Sequence, residues 1–487
     1  MLKKISGLIK NGIILIYLQL LIRVNSQQIK FPLRIINSTF SKYTKVKNIF
    51  IKINSLSSIN CFNSLKKNIL AEGPQILSSK IDIVSSMLFA TEIEIGSNSQ
   101  KFNVILDTGS QILWVPEINS INSNKDIKNF YEPNKSKTSQ NINRTLEVVY
   151  GTGYCQGYFY KDLIKFLSKD KYYLFFGSAN NSIFDVEGTE GILGLARTYS
   201  NVSLSPILTL KNNGVIKSAS FSFKYDKQKD ELYMYAGKPH KDFESKNIPF
   251  CNLLSNNNYE KLLWACELNS FGFIKNTSSL QSEQNAFIKT NISVIFDTGT
   301  NSILLPYNLI FALKEKIKQY NCIVGSSSLD DSDDAIAFVI CFDVDRIPDI
   351  GLQFGDYVLV LNKYKMFYMI DFGFGIIGYL LNAQFEKNLW TAIIGQNFFT
   401  EFHTLFDPEN KVLKFYSDSN DKIIWIKQNN NNGSNFGIIF IIFILFILVG
   451  GFFFYRYQQR KNIEYDYKWM GPNDGINSKF NNINQNV

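Results

Sequence analysis

Twice in this chain an apolar run delivers an aspartate into the same three-residue turn, and few sequence features restrict a fold more tightly. Val104, Ile105 and Leu106 lead into Asp107-Thr108-Gly109-Ser110, with Ile192-Leu193-Gly194 further on. Val294, Ile295 and Phe296 lead into Asp297-Thr298-Gly299-Thr300, with Ile393-Ile394-Gly395 further on. One such turn is a weak signal, because Asp, Thr and Gly are ordinary turn residues. Two in matching contexts describe one plan used twice, and hence two similar lobes. From about Ile83 to Ile426, short alternating or apolar runs such as 102–106, 146–150 and 294–296 are separated by Gly, Asn and Ser, which is the pattern of a mostly β body. The clearest helix is predicted over 309–319, where Leu309, Leu313 and Ile317 recur at helical spacing behind Pro306.

Each part of the repeated turn has a physical use. The apolar strand fixes the carboxylate, and glycine at the third position lets the chain turn with its amide near the aspartate oxygens. The hydroxyls of Ser110 and Thr300 can hydrogen-bond Asp107 and Asp297 and favour their ionised forms. With the lobes facing each other, the two carboxyl groups cannot both ionise cheaply and share one proton over the acidic range. The ionised partner then takes a proton from a bound water that attacks a peptide carbonyl, while the protonated partner stabilises the developing oxygen charge. This chemistry needs no metal, cofactor or covalent intermediate.

The bulk composition excludes several alternatives. A chain of 487 residues with 45% apolar content has material for a sizeable core. The formal charge of +9 is scattered through Asn- and Ser-rich stretches rather than gathered on one element, so no nucleic-acid partner is expected. His240 and His403 are the only histidines, which leaves few ways to build a serine or cysteine hydrolase around an imidazole base. No His-Glu-x-x-His zinc pattern is present.

The stretch 83–426 resembles the pepsin-like aspartic proteases. Besides both aspartate turns, the resemblance rests on Trp114-Val115-Pro116, Tyr150-Gly151-Thr152-Gly153 with Gly157, Gly191-Ile192-Leu193-Gly194-Leu195, and the segment from Trp390 through Phe406-Asp407. It implies a bilobal, mostly β acid protease fold, lobes at about 81–245 and 246–426, endopeptidase activity on protein or peptide substrates, and a monomer. It further implies that Tyr150, with Trp114 as its hydrogen-bond partner, closes on substrate as a flap, and that Gly151 and Thr152 offer backbone groups. Gly109 and Gly299 would line the cleft, with Ile105, Ile192 and Ile295 among the apolar subsite contacts. Glu190, Asn301 and Tyr154-Cys155 depart from the family pattern, and Cys155 raises the expectation of a thiol-sensitive flap. The competing reading is a catalytically silent, membrane-bound peptide-binding protein on the same fold. The intact aspartates, both hydroxyls and the flap tyrosine argue against it.

Both ends carry membrane signals. Lys3, Lys4 and Lys10 precede the short apolar run 12–22, the layout of a signal peptide over 1–26. Residues 27–80 are basic, with Glu72 the lone acid, and resemble a propeptide that would place Lys66 or Lys67 over the aspartates. An Asn-rich stalk, 427–435, precedes an uncharged apolar run, 436–455, of transmembrane length. Arg456, Arg460 and Lys461 then put the tail 456–487 in the cytosol and the body in the lumen or outside, in the secretory or endolysosomal pathway or at the cell surface. Tyr467-Lys468-Trp469-Met470 resembles a sorting signal. In that compartment six cysteines can oxidise, and the expected pairs are Cys322 with Cys341 and, more weakly, Cys251 with Cys266. Sequons such as Asn134, Asn143, Asn180 and Asn291 fit glycosylation there.

Overall fold

The computed structural model describes residues 77–426, apart from 84–87, 123–126, 152, 185, 198–203, 246, 275–286, 327–335, 344–345, 372–376 and 387–388. The segments expected as signal peptide, stalk, membrane span and tail, most of the basic stretch, and Cys61, Lys66, Lys67 and Thr152 lie outside the described residues. Among the described residues no helix is long and apolar enough to cross a membrane.

The body is mostly β. Its described strands form a 13-stranded and a 12-stranded sheet, and each contains one aspartate turn. The repeat is structural as well as sequential. Strand Gln100–Asp107 pairs in parallel with Gly191–Gly194, setting Ile105 opposite Ile192 and Asp107 opposite Gly194. Strand Phe287–Phe296 pairs in parallel with Ala392–Ile394, setting Ile295 opposite Ile393. The ends of both aspartate strands are buried without a break, 104–107 in one and 294–296 in the other, which is why the sequence there is a continuous apolar run rather than an alternation.

A row of strands joins the two halves of the chain. Within the larger sheet, Phe250–Asn252, Val412–Tyr416, His403–Asp407, Phe221–Asp226, Glu231–Ala236 and Leu77–Ile83 lie side by side in that order. Strands from near the end of the body are thus paired to strands from its middle and its beginning. Aromatic packing fills the space around them: Phe221 stacks on Phe406 at 4.8 Å, Trp264 meets Phe406 edge-on at 5.1 Å, and Phe296 packs on Phe398 at 5.2 Å.

The expected helix is present as Leu309–Ile317, continued by a 3-10 turn over Lys318–Tyr320, and it buries Leu309, Ile310, Leu313 and Ile317. Both expected disulfides are formed. Cys251 and Cys266 are bonded with Cα atoms 6.0 Å apart. Cys322 and Cys341 face each other across a hairpin with Cα atoms 4.0 Å apart.

Candidate active site

The two parallel strand pairs place Asp107 and Asp297 at equivalent ends of their sheets. Asp107 is buried, and its Oδ1 accepts from Gly109 N–H at 2.8 Å. Asp297 is half-buried, with Oδ1 accepting from Gly299 N–H at 2.7 Å and Oδ2 from the Thr300 hydroxyl at 2.7 Å. The Ser110 hydroxyl, the counterpart of Thr300, also bears on the Asp107 carboxyl and lowers it, but its Oγ stands farther off than the bond Thr300 makes to Asp297. Burial, then the neighbouring negative charge of Asp297 and a hydrogen bond to its carboxyl, hold the Asp107 carboxyl well above the ordinary carboxylate range.

What brings the carboxyl groups together is the glycine of the opposite turn. A Cβ on Gly109 would stand 2.7 Å from the Asp297 carboxylate, and one on Gly299 would stand 2.4 Å from Asp107 Oδ1. Each glycine therefore turns its own strand and also leaves the space that the other aspartate occupies.

The threonines between them, which the sequence reading passed over, lock the two turns. Thr108 N–H donates to Thr298 Oγ1 at 3.1 Å, and Thr298 N–H donates to Thr108 Oγ1 at 3.0 Å. Each hydroxyl in turn donates to the opposite strand, Thr108 Oγ1 to Phe296 O at 2.8 Å and Thr298 Oγ1 to Leu106 O at 2.6 Å. Both residues are fully buried, so these four bonds have no water to compete with them. Their one visible signal was that the same threonine occurs in both turns. Two further braces had no signal in the sequence. Trp264 Nε1–H donates to Leu195 O at 2.8 Å, and Leu195 N–H donates to Asp107 O at 2.7 Å. Buried Gln396 donates from Nε2 to Thr298 O at 2.7 Å.

Strands Gln140–Val149 and Tyr154–Lys165 form a hairpin that ends in the turn 150–153, closed by Tyr150 N–H donating to Gly153 O at 2.7 Å. Trp114 Nε1–H donates to Tyr150 Oη at 2.8 Å. Among the described residues, a Cβ on Gly151 would meet nothing within 4 Å. Ile105 and Ile192 pack with Trp114 in one small apolar cluster beside the dyad, and Ile295 packs with Ala196, Leu263 and Ala265 in another; all three isoleucines are at most 6% exposed.

The departures from the family pattern have local explanations. Glu190 accepts from Asn103 N–H at 2.7 Å and from Asn129 Nδ2 at 3.0 Å, so its longer side chain clasps the strand that carries Asp107. Asn301 serves through its carbonyl, which accepts from Asn382 Nδ2 at 3.2 Å. Cys155 is a free thiol, fully buried in the cluster around Trp114, and burial pushes it far above the ordinary thiol range. A buried neutral thiol is a poor nucleophile, so the geometry runs against a thiol-sensitive flap.

Residues 88–417 match the family described as eukaryotic aspartyl protease. The chain is similar to plasmepsin IV of Plasmodium falciparum, at 28% identity over 355 residues that cover 69% of this chain and 71% of that protein. It is similar to the vacuolar aspartic protease of Candida albicans, at 26% over 338 residues, 67% of this chain and 74% of the relative. Vacuolar protease A of Aspergillus fumigatus is 22% identical over 351 residues, 68% and 79% of the two chains. The matched span contains both aspartate turns and the hairpin and exceeds half of the chain: the protein belongs to the eukaryotic aspartyl protease family and is an aspartic endopeptidase.

Proposed function

We propose that Asp107 and Asp297 are the catalytic pair and cut peptide bonds through a water held between them. Asp107 carries the proton of the resting pair and stabilises the developing oxygen charge, while Asp297 accepts the proton of the attacking water. The observation that carries this reading is the interlock, in which each turn glycine makes room for the carboxyl of the opposite turn. Thr300 and Gly299 donate to Asp297 and fix the orientation of its carboxyl in the pair.

Tyr150, steadied by Trp114, closes over the substrate with Gly151 and Thr152. Ile105, Ile192 and Ile295 give the subsites an apolar floor that favours apolar or aromatic residues beside the cut bond. Residues 1–26 route the chain into the secretory pathway, 27–80 restrain it as a propeptide with Lys66 or Lys67 over the aspartates, and 427–455 tether it. The catalytic body then works in the lumen of a vesicle or outside the cell. Two disulfides suit that compartment, and vacuolar relatives suit an acidic one.

The test is cleavage of a peptide library by the full-length protein after acid treatment. Acid-dependent cleavage, blocked by a statine-type inhibitor and absent in Asp107→Asn, is expected. No cleavage from acidic to neutral pH, by processed and unprocessed chains alike, would favour the silent binding protein.

A further inference from the structure

The only two histidines of the chain, far apart in sequence, lie together in the fold. His403 sits on strand His403–Asp407, and His240 caps the 3-10 turn Lys241–Phe243. Their rings are 5.2 Å apart, and Asp242 lies between their nitrogens. His403 is buried; its Nδ1–H donates to Asp242 Oδ2 at 2.8 Å and its Nε2 lies 2.9 Å from Ser222 Oγ. His240 Nδ1 accepts from Asp242 N–H at 3.3 Å, and the same nitrogen stands 3.2 Å from Asp242 Oδ1.

A divalent metal is one ligand to consider, since the three donor groups lie within 4.8 Å of one another. Lys224 argues against it. Its Nζ is 2.6 Å from Asp242 Oδ2, the oxygen that already accepts from His403, so a metal would enter beside an ammonium ion. The cation this cluster suits is a proton.

We propose that His240 and His403 form a proton-operated latch on the strands that join the two halves of the chain. When neutral, His240 offers the lone pair that caps the turn, and His403 ties its strand to Asp242. A proton on His240 Nδ1 removes that lone pair, turns the nitrogen into a donor toward Asp242 Oδ1, and sets it in competition with Lys224 and His403 for one carboxylate. Two protonated rings leave three positive charges against Asp242. The other ionisable groups that bear on the cluster are Lys241 beside His240, Asp418 beside Lys224, and the hydroxyls of Tyr235 and Tyr416. Asp418 alone adds a second negative charge, and the balance stays positive.

The latch has a mechanical connection. Ser78, Tyr235, Ser222 and Leu405 stand opposite one another across four adjacent strands. Ser222 holds His403, and the Tyr235 ring lies 4.8 Å from His240 and 6.0 Å from His403. Loosening the cluster therefore loosens the row that ends at Leu77–Ile83.

The pH window follows from His403. Burial lowers it from 6.5 to about 4, and His240 is lowered in the same direction. An unfolded chain takes up the His403 proton near pH 6.5, while the folded one waits until about pH 4. The unfolded chain therefore binds more protons between those values, and folded stability falls as pH drops through the window, raising the opening constant about 300-fold for this group alone.

Hydrogen exchange of the full-length chain, carrying Asp107→Asn so that it does not cut itself, tests the latch. Corrected protection of 77–83 and 231–236 should fall between pH 6.5 and 4 while that of 287–296 holds. His240→Asn supplies a cap acceptor that no proton removes, and His403→Asn keeps a donor for Asp242. Both should flatten the acid loss at unchanged protection at pH 7. The same acid loss in both variants would overturn the proposal, as would stabilisation of the wild-type chain by zinc that either variant abolishes.

Discussion

A single methyl group is too large for either turn glycine, and this gives the residue scale its sharpest expectation. In Gly299→Ala the new Cβ must displace Asp107, whose Oδ1 would lie 2.4 Å away. A displacement of about 1 Å in a catalytic pair costs roughly 100-fold in rate, so kcat/KM should drop at least that far while circular dichroism and the melting temperature change little. Full activity in Gly299→Ala would mean that the pair is not held by this contact. At this scale the aspartates, their glycines and Thr300 were readable, because strand, turn and hydroxyl are neighbours in sequence. The looser hold of Ser110 on Asp107 was not readable, since Ser110 and Thr300 occupy equivalent positions and only the surrounding packing distinguishes them. The burial of Cys155 was equally hidden, because strand alternation shows which residues share a face and not how fully that face is covered.

Elements were legible where the period was local. The apolar runs before each Asp-Thr-Gly turn became the inner strands, and the helix 309–317 buries its predicted stripe. What joins the elements was not legible. The exchange between Thr108 and Thr298 links residues 190 apart, and a sequence shows two identical turns without showing that each is the other's partner. Thr298→Val keeps the shape, removes the hydroxyl that donates to Leu106 O, and leaves the Thr108 amide without its acceptor. Buried groups orphaned in this way cost about 2–4 kcal/mol together. Urea unfolding should show a loss of that size, with activity falling as the turns part. A loss below about 0.5 kcal/mol would place the hold between the halves elsewhere.

At the scale of the whole molecule, the two-part plan came from the repeat, while the sheet that joins the parts came from pairings no repeat announces. Strands 403–407 and 412–416 reach back to 221–226 and 250–252, and 77–83 straddles the point where the basic stretch was expected to end. Non-local pairings of this kind depend on which edges remain free after each half has folded, which composition does not record. The proposed tether makes its own prediction. In sealed vesicles from cells expressing the protein, an epitope at the carboxyl terminus should be digested by external protease while the body is protected. Protection of both would place the tail in the lumen and contradict the orientation. For the proposed catalytic pair the decisive measurement is peptide cleavage against pH by the full-length protein, its Asp107→Asn variant and its Asp297→Asn variant. The expected result is cleavage in the acidic range that a statine-type inhibitor abolishes and both variants lack. Cleavage that survives in either variant, or a wild-type protein inactive at every pH before and after processing, would contradict it.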